Sequence, residues 1–221
     1  PSKTTPHFRK RVAIRIEDPN LCPRYSVRII DQLSIAEAPA WLRYRLEACG
    51  IRAINQVVDV TNYVMIETGQ PLHAFDWDQL PEKSIVVRPA RERKQFTTLD
   101  GVTRELAHDD LLICAGETPV ALAGIMGGLE TEVRASTSTV LLESANFASS
   151  SIRRTAKRLG LHSEASHRFE RVVDPEGTTK ALDRAVWLLR ELAAGSEASG
   201  AADEYPGRTK PAVLWLRAER I

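Results

Sequence analysis

The central third of the chain, residues 84–142, most constrains the fold because it is a series of short β patterns. Two of them, Ser84–Arg88 and Lys94–Thr98, precede Asp100-Gly101, a dipeptide that readily adopts the left-handed backbone angles of a tight hairpin. Further strands are predicted at Leu111–Cys114, Val120–Ala123 and Thr139–Leu142. This pattern excludes a purely helical fold.

The segments before this centre mix strands with helices. Arg11–Ile16 alternates apolar and polar residues and predicts a strand with one buried face, and Ser26–Ile30 predicts a second strand. Ala38–Gly50 predicts a helix. Asn55–Glu67 is ambiguous, because its β-branched residues favour a strand whereas its apolar helical face and Gly69 favour a helix. We predict a helix there.

The last third of the chain is predicted to be helical. One helix covers Ser150–Leu159 and ends at Gly160, a short one covers Glu164–Arg171, and a long one opens at Asp174-Pro175. The apolar stripe of the long helix consists of Leu182, Val186, Leu189 and Leu192. A strand-rich centre flanked by helices predicts an α+β fold rather than a regular βαβ repeat.

Charge and cysteine content exclude several classes of protein. The 221 residues include 30 Lys and Arg against 29 Asp and Glu, so any RNA contact must come from local clustering of charge. Cys22, Cys49 and Cys114 form no Cys-x-x-Cys pair, which argues against a zinc site or a disulfide framework and fits a reducing compartment. No apolar run is long enough to cross a bilayer. We therefore expect a cytoplasmic protein with no metal site and no membrane partner.

The two ends of the chain are polar. Pro1–Lys10 is polar and basic and has the composition of a linker, and Gly195–Ala202 is small and polar. Ala212–Leu216 then predicts a new strand without visible partners. We expect one domain over residues 11–205, followed at 206–221 by a linker and the truncated start of a further module.

Five polar motifs occur in a fixed order along the chain: Val58–Tyr63, Gln70–Asp76, Ala123–Gly128, Leu141–Ser144 and Glu164–Glu170. Together they resemble the B3/B4 region of the bacterial phenylalanyl-tRNA synthetase beta subunit, and the resemblance extends from Arg11 to Tyr205. Beyond it, Leu214–Ile221 is similar to the start of the next module of that subunit.

This resemblance implies a fold and an activity. The fold is a layered ββα-type sandwich of mixed sheets packed with helices. The activity is hydrolysis of tRNA(Phe) wrongly charged with tyrosine, at the tRNA acceptor end. The resemblance also implies an alpha subunit as partner, and it implies that ATP and Mg²⁺ serve only the synthetic reaction of the parent enzyme, so that this domain needs no cofactor.

The resemblance further implies roles for polar residues. Glu143 is similar to the acidic residue that binds the para-hydroxyl of tyrosine, although the residue alone also fits a solvated glutamate at a strand end. His73 resembles the editing-site histidine, which orients a water, holds the ribose or moves a proton; a lone histidine in a loop is more often structural. Thr61 and Asn62 resemble pocket residues that position the water or the ester, yet such residues in a helix also bond the backbone.

The small residues of the motifs match the walls of the same pocket. Gly124, Gly127 and Gly128 resemble its glycine-rich wall, while a phosphate loop or a plain turn is the alternative. Ala165 is small enough to admit an amino acid, and Ser163 offers a hydroxyl where the family often has threonine. No nucleophile elbow is present, so we expect direct attack by an ordered water assisted by the terminal ribose of the tRNA.

A basic cluster follows the predicted strands and is the candidate contact with RNA phosphates. The alternative is an ordinary solvated helix face with internal ion pairs. A structural or tRNA-docking module with a vestigial pocket is the competing function, and a free-standing hydrolase of the same lineage is a third. The cluster consists of Arg153, Arg154, Lys157, Arg158 and Arg168, together with His162, His167 and Arg171.

Overall fold

The computed structural model describes residues 11–193, 197–210 and 213–217. The helices are α1 (Ala40–Ala48), α2 (Gln56–Thr68), α3 (Ser149–Leu159), α4 (Glu164–Phe169) and α5 (Thr178–Leu192), with 3₁₀ turns at Leu129–Thr131 and Pro175–Gly177. The strands are β1 (Ala13–Ile16), β2 (Arg24–Asp31), β3 (Leu72–Asp76), β4 (Ser84–Pro89), β5 (Gln95–Thr97), β6 (Thr103–Glu105), β7 (Leu111–Ala115), β8 (Thr118–Leu122), β9 (Met126–Gly127), β10 (Val140–Asn146) and β11 (Glu197–Glu204).

The strands form two main sheets. A five-stranded sheet has the order β1-β4-β7-β8-β9, in which β1 pairs with β4 in parallel and the other pairs are antiparallel. A four-stranded antiparallel sheet has the order β11-β2-β10-β3. The short hairpin β5-β6 stands apart, and Gly101 in its turn has the left-handed φ of 75°. Strands β3 and β9 are thus the edges of their sheets.

The two sheets pack face to face over the larger core. Alternate residues of β2, such as Tyr25 and Ile29, pack in this core with Leu141 of β10 and with Ile85 and Leu112 of the five-stranded sheet. Period-two alternation therefore places residue 143 of β10 on the same inter-sheet face.

The opposite face of the four-stranded sheet is covered by helices. Ile30 and Leu142 point to this side and pack with Val60 of α2 and with Leu182 and Leu189 of α5. The order of layers is sheet, sheet, helix, which confirms the predicted α+β sandwich.

Helix α2 resolves the ambiguity of residues 55–67. The side chain of Asn55 accepts hydrogen bonds from the backbone N–H groups of Val57 and Val58, which caps the first turn. Gly69 ends the helix with a φ of 77°. Caps at both ends outweigh the strand propensity of the β-branched residues, and the predicted helix is confirmed.

Three other expectations change. Asp174-Pro175 opens a 3₁₀ turn, and the long helix begins only at Thr178. Glu197–Glu204, for which no strand was predicted, is strand β11, since its backbone pairs with β2. Residues 213–217 form no strand. Pro1–Lys10, Gly195 and Ala212 lie outside the described residues.

A membrane crossing is not seen in the described part of the chain, where no helix has the length and apolar character that it requires.

Candidate functional site

Two adjoining cavities lie where the edge strands β3 and β9 approach each other. The inner cavity has a volume of about 60 Å³ and the outer one about 270 Å³. Both are lined by Leu72, His73, Met126, Gly127 and Ala165, so they meet along β3, β9 and α4. The inner cavity is thus the smaller and the outer cavity the larger of two neighbours that share one wall.

The predicted pocket residues gather at these cavities, although they come from five separate segments of the chain. The inner cavity is lined by Glu143 and Gly124. The outer cavity is lined by Thr61, Asn62 and Ser163. His73, Gly127 and Ala165 line both. The structure thus brings together the residues that the sequence motifs indicated, with the exception of Gly128.

Glu143 is a buried carboxylate on the wall of the inner cavity. It is 5% exposed, and its Oε2 accepts a hydrogen bond from the hydroxyl of Tyr25 at 2.9 Å. Burial raises the pKa of Glu143 to about 7, and the hydrogen bond from Tyr25 acts in the opposite direction. Among the described residues Oε1 has no hydrogen-bond partner, so this oxygen is available to a donor in the cavity.

His73 lies directly opposite Glu143 in the pairing of β3 with β10. Burial lowers the pKa of His73 to about 4, so the imidazole is neutral at pH 7. Its ring packs edge-on against Phe75, with 4.5 Å between the ring centres. A neutral imidazole can accept or donate a hydrogen bond, and this one faces both cavities.

Glycines form the wall opposite His73. A Cβ at Gly127 would lie 2.7 Å from both Cε1 and Nε2 of His73, so a side chain there would displace the imidazole. Gly124 has a φ of 67°, and a Cβ there would meet the rings of Phe147 and Phe169 at 2.9 Å. Gly127 therefore leaves room for the imidazole, whereas Gly124 allows the rings of Phe147 and Phe169 to pack closely against the turn.

Gly128 does not belong to this wall. A Cβ at Gly128 would lie 2.7 Å from the ring of Phe96 and 2.8 Å from the carbonyl oxygen of Val120. This glycine allows strand packing and does not line either cavity.

Thr61 and Asn62 are adjacent on α2 but differ in their contacts. The hydroxyl of Thr61 donates to the carbonyl of Val58 at 2.7 Å, as threonines in helices commonly do. The amide of Asn62 makes no hydrogen bond within the described part of the chain and lines the outer cavity. Asn62 is therefore the freer of the two to bind a ligand.

The hydroxyl of Ser163 is engaged in two hydrogen bonds within the protein. Its hydroxyl caps α4 by accepting from the backbone N–H of Ser166 at 3.0 Å, and it donates to the carbonyl of Ile125 at 2.8 Å. This serine connects α4 to the glycine-rich turn between β8 and β9. Ala165, two residues later, lines both cavities.

Tyr25 is a functional candidate that the sequence did not indicate. The predicted strand began at Ser26, whereas β2 begins at Arg24 and its alternation places Tyr25 on the buried face. The hydrogen-bond partners Tyr25 and Glu143 are 118 residues apart, and no local motif connects them.

The basic cluster divides into paired and unpaired side chains. Arg154 forms an ion pair with Asp109 at 2.7 Å, Arg168 with Glu164 at 2.7 Å, and Arg158 with the buried carboxylate of Asp110. The exposed side chains of Arg153 and Lys157 form no ion pair with any described residue. These two, four residues apart on α3, are the stronger candidates for phosphate contact.

Metal-binding side chains do not gather in the parts of the chain that the structure describes. No group of three His, Cys, Asp or Glu residues there could hold an ion.

The chain was compared with known protein families and structures. The family model of the B3/4 domain matches residues 21–194. The chain belongs to the B3/4 domain family.

Its relatives are phenylalanine–tRNA ligase beta subunits. The chain is 55% identical to that of Geobacter sulfurreducens over 96% of its own length, and 49% identical to that of Moorella thermoacetica over 100%. It spans 26% and 28% of those two proteins. An N-terminal fragment of the phenylalanyl-tRNA synthetase beta subunit from Pyrococcus horikoshii has the same fold, with a TM-score of 0.57 at 13% identity over 90% of this chain and 52% of that one.

Proposed function

We propose that this chain is the editing domain of a phenylalanine–tRNA ligase beta subunit and hydrolyses tRNA(Phe) that carries tyrosine. The observation that supports this most directly is Glu143, a buried carboxylate with one oxygen unpaired at the wall of a narrow cavity. A buried carboxylate is costly unless donors satisfy it. The phenol hydroxyl of a tyrosyl group is such a donor.

Hydroxyl recognition explains why a separate site is useful. Tyrosine differs from phenylalanine by one hydroxyl, and an apolar pocket rejects an added hydroxyl by only about a hundredfold. A site built to bind the hydroxyl rejects the analogue that lacks it by roughly 10⁴ or more, since its polar group is then left unpaired. Phenylalanine in the inner cavity leaves Oε1 of Glu143 without a partner. The inner cavity therefore selects the wrong product and spares the right one.

The outer cavity receives the ester and the terminal ribose. Water attacks the carbonyl carbon, the bond from that carbon to the ribose oxygen breaks, and the water proton passes to the departing ribose hydroxyl. His73 is a weak base because its pKa is about 4, so its role is to hold the water or the ribose by hydrogen bonds. Asn62 and Thr61 position the same groups from α2.

The partners follow from this reaction. The substrate is the acceptor end of tRNA(Phe), and the unpaired Arg153 and Lys157 on α3 contact its phosphates. The reaction belongs to the cytoplasm and needs no cofactor from this domain. The alpha subunit, ATP and Mg²⁺ serve the synthetic reaction of the whole enzyme.

Deacylation of tyrosyl-tRNA(Phe), with phenylalanyl-tRNA(Phe) as the control substrate, tests the proposal. It is measured with this chain and with the intact ligase, each as wild type and as Glu143→Ala. The exposed Glu130 provides the matched control Glu130→Ala. Selective clearance of tyrosine that is lost only in Glu143→Ala supports the proposal. An intact wild-type enzyme that leaves tyrosyl-tRNA(Phe) uncleaved contradicts it and favours a docking module.

A further inference from the structure

Tyr25 is buried beside the carboxylate that faces the inner cavity. It is 0% exposed, and its hydroxyl lies 2.9 Å from Oε2 of Glu143. Tyr25 pairs with Ala145 across β2 and β10, so it is a diagonal neighbour of Glu143 on the same inter-sheet face. Glu143 thus already holds one phenol hydroxyl before any substrate enters.

We propose that Tyr25 is a positioning residue that fixes Glu143 by occupying Oε2, so that Oε1 alone is presented to the substrate phenol. This inference rests on the proposed function, because it assigns the part of the site that sets the preference for tyrosine. Tyr25 lies outside both cavities and does not touch the substrate.

The hydrogen bond also controls whether Glu143 carries a proton. A donor to a carboxylate favours its charged form, and the bond from Tyr25 lowers the pKa of Glu143 against the effect of burial. Burial raises the pKa of Tyr25 well above its ordinary value, so this hydroxyl keeps its proton and acts as donor. The charged carboxylate is the stronger acceptor for a second phenol.

Few other ionisable groups face Glu143. His73 faces it from β3 and is neutral, since burial lowers its pKa to about 4. The thiol of Cys22 lies on the β2 side, and burial together with the charge of Glu143 raises its pKa. The rest of the inner cavity is lined by apolar residues and glycines, among them Ile113, Ala121 and Phe169. Tyr25 is therefore the donor that governs the carboxylate.

Removal of this one hydroxyl has a specific consequence. In Tyr25→Phe the ring still fills the core, but Oε2 loses its donor, and Glu143 keeps its proton to a higher pH. The pKa of Glu143 is about 7 in wild type, and a rise of about one unit cuts its charged fraction at pH 7 from about a half to about a tenth. The preference for tyrosine over phenylalanine at pH 7 is therefore expected to fall about fivefold, and its pH midpoint to rise by about one unit. A merely structural role lowers both deacylation rates together and leaves the midpoint unchanged.

The test is the ratio of tyrosyl to phenylalanyl deacylation from about pH 6 to pH 9, a range that brackets the midpoint of about 7 in wild type and the higher midpoint expected in the variant. It compares wild type, Tyr25→Phe and the control Tyr44→Phe, whose ring is exposed on α1. A double-mutant cycle adds Tyr25→Phe to Glu143→Gln, where it is expected to change the ratio no further.

A second readout needs no substrate. Infrared titration of the full chain follows the carboxyl band that disappears in Glu143→Gln, and Tyr25→Phe is expected to raise its midpoint. An unchanged midpoint in both the infrared and deacylation profiles overturns the inference. A shifted infrared midpoint in a protein that does not deacylate tyrosyl-tRNA(Phe) supports the control of Glu143 by Tyr25 and counts against the proposed function alone.

Discussion

Glu143 and His73 are direct partners across β10 and β3, and burial moves their pKa values in opposite directions. The pKa of Glu143 rises to about 7, and that of His73 falls to about 4. In both groups burial disfavours the charged form, although Glu143 is 5% exposed and His73 is only half-buried. At neutral pH the pocket therefore combines an uncharged imidazole with a carboxyl group near its own midpoint.

These shifts predict two opposite dependences of stability on pH. Glu143 binds a proton in the folded state that the unfolded chain has released, so its contribution to stability falls as the pH rises from about 4.5 to 7. Glu143→Gln removes this slope, which amounts to about 3 kcal/mol over the window. Urea unfolding at several pH values measures it, with Glu130→Gln as control. A slope that Glu143→Gln leaves unchanged contradicts the assignment.

His73 contributes the other slope. The unfolded chain takes up a proton below pH 6.5 that the folded state refuses until about pH 4, so stability falls as the pH falls through this window. His73→Gln is expected to flatten the acid side of the unfolding profile. In wild type the two slopes offset each other between about pH 4.5 and 6.5. Glu143→Gln is therefore expected to leave only the slope due to His73, and His73→Gln only the slope due to Glu143. Parallel profiles for wild type and His73→Gln count against a neutral buried imidazole.

Gly127→Ala tests the wall against His73. The new Cβ lies 2.7 Å from the imidazole, which Phe75 blocks on another side, so the ring shifts and deacylation falls by about a hundredfold. Gly177→Ala is the matched control, because its Cβ meets only Gln70 Oε1 at an ordinary 3.7 Å. Equal rates for the two variants are the result that rejects this account of the glycine.

Ser163 is predicted to act on stability rather than on substrate choice. Ser163→Ala loses a helix cap and the bond to Ile125, at a cost of about 1–2 kcal/mol. Ser163→Thr keeps the hydroxyl and is expected to retain stability. Both variants are expected to keep the preference for tyrosine. Thermal unfolding measures the stability of each variant, and the tyrosyl and phenylalanyl deacylation rates measure its preference. A variant that is stable but has lost the preference for tyrosine would show that Ser163 contacts the substrate directly.

Lys157 and Arg158 are adjacent on α3 but have different predicted effects. Lys157→Ala is expected to change the free energy of unfolding by no more than about 0.5 kcal/mol. It is expected to weaken tRNA binding and to reduce the slope of log affinity against log salt concentration by about the amount that one phosphate contact contributes. Arg158→Ala removes a partner of the buried Asp110 and destabilises the fold by about 1–3 kcal/mol. Binding titrations at several salt concentrations and urea unfolding separate the two. Loss of stability in Lys157→Ala is the contrary result.

The fold was largely predictable where local signals and periodicity agree. Helix α2 was predicted from its apolar face and from Gly69, and the structure adds the cap at Asn55. Strand β11 was not, because Glu197–Glu204 is small and polar and owes its pairing to the neighbouring β2. Strand pairing between segments that are distant in the sequence cannot be read from the local composition of either segment.

The sequence motifs indicated which residues gather at the candidate site, but not the hydrogen bonds between them. Motifs indicated Glu143 and His73, and the pairing of β3 with β10 explains why they lie opposite each other. The hydrogen bond from Tyr25 and the double role of Ser163 depend on tertiary contacts. Such contacts decide which oxygen of Glu143 is free.

The role of Glu143 in recognising the tyrosine hydroxyl is tested most directly by measuring binding without hydrolysis. Adenosine analogues that carry tyrosine or phenylalanine through a non-hydrolysable 3′-amide are titrated against wild type and Glu143→Gln by calorimetry. We expect wild type to bind the tyrosyl analogue at least about tenfold more tightly than the phenylalanyl one, and Glu143→Gln to lose most of this difference. Equal affinities in wild type, or a preference that survives in Glu143→Gln, contradict the role of Glu143 in reading the hydroxyl.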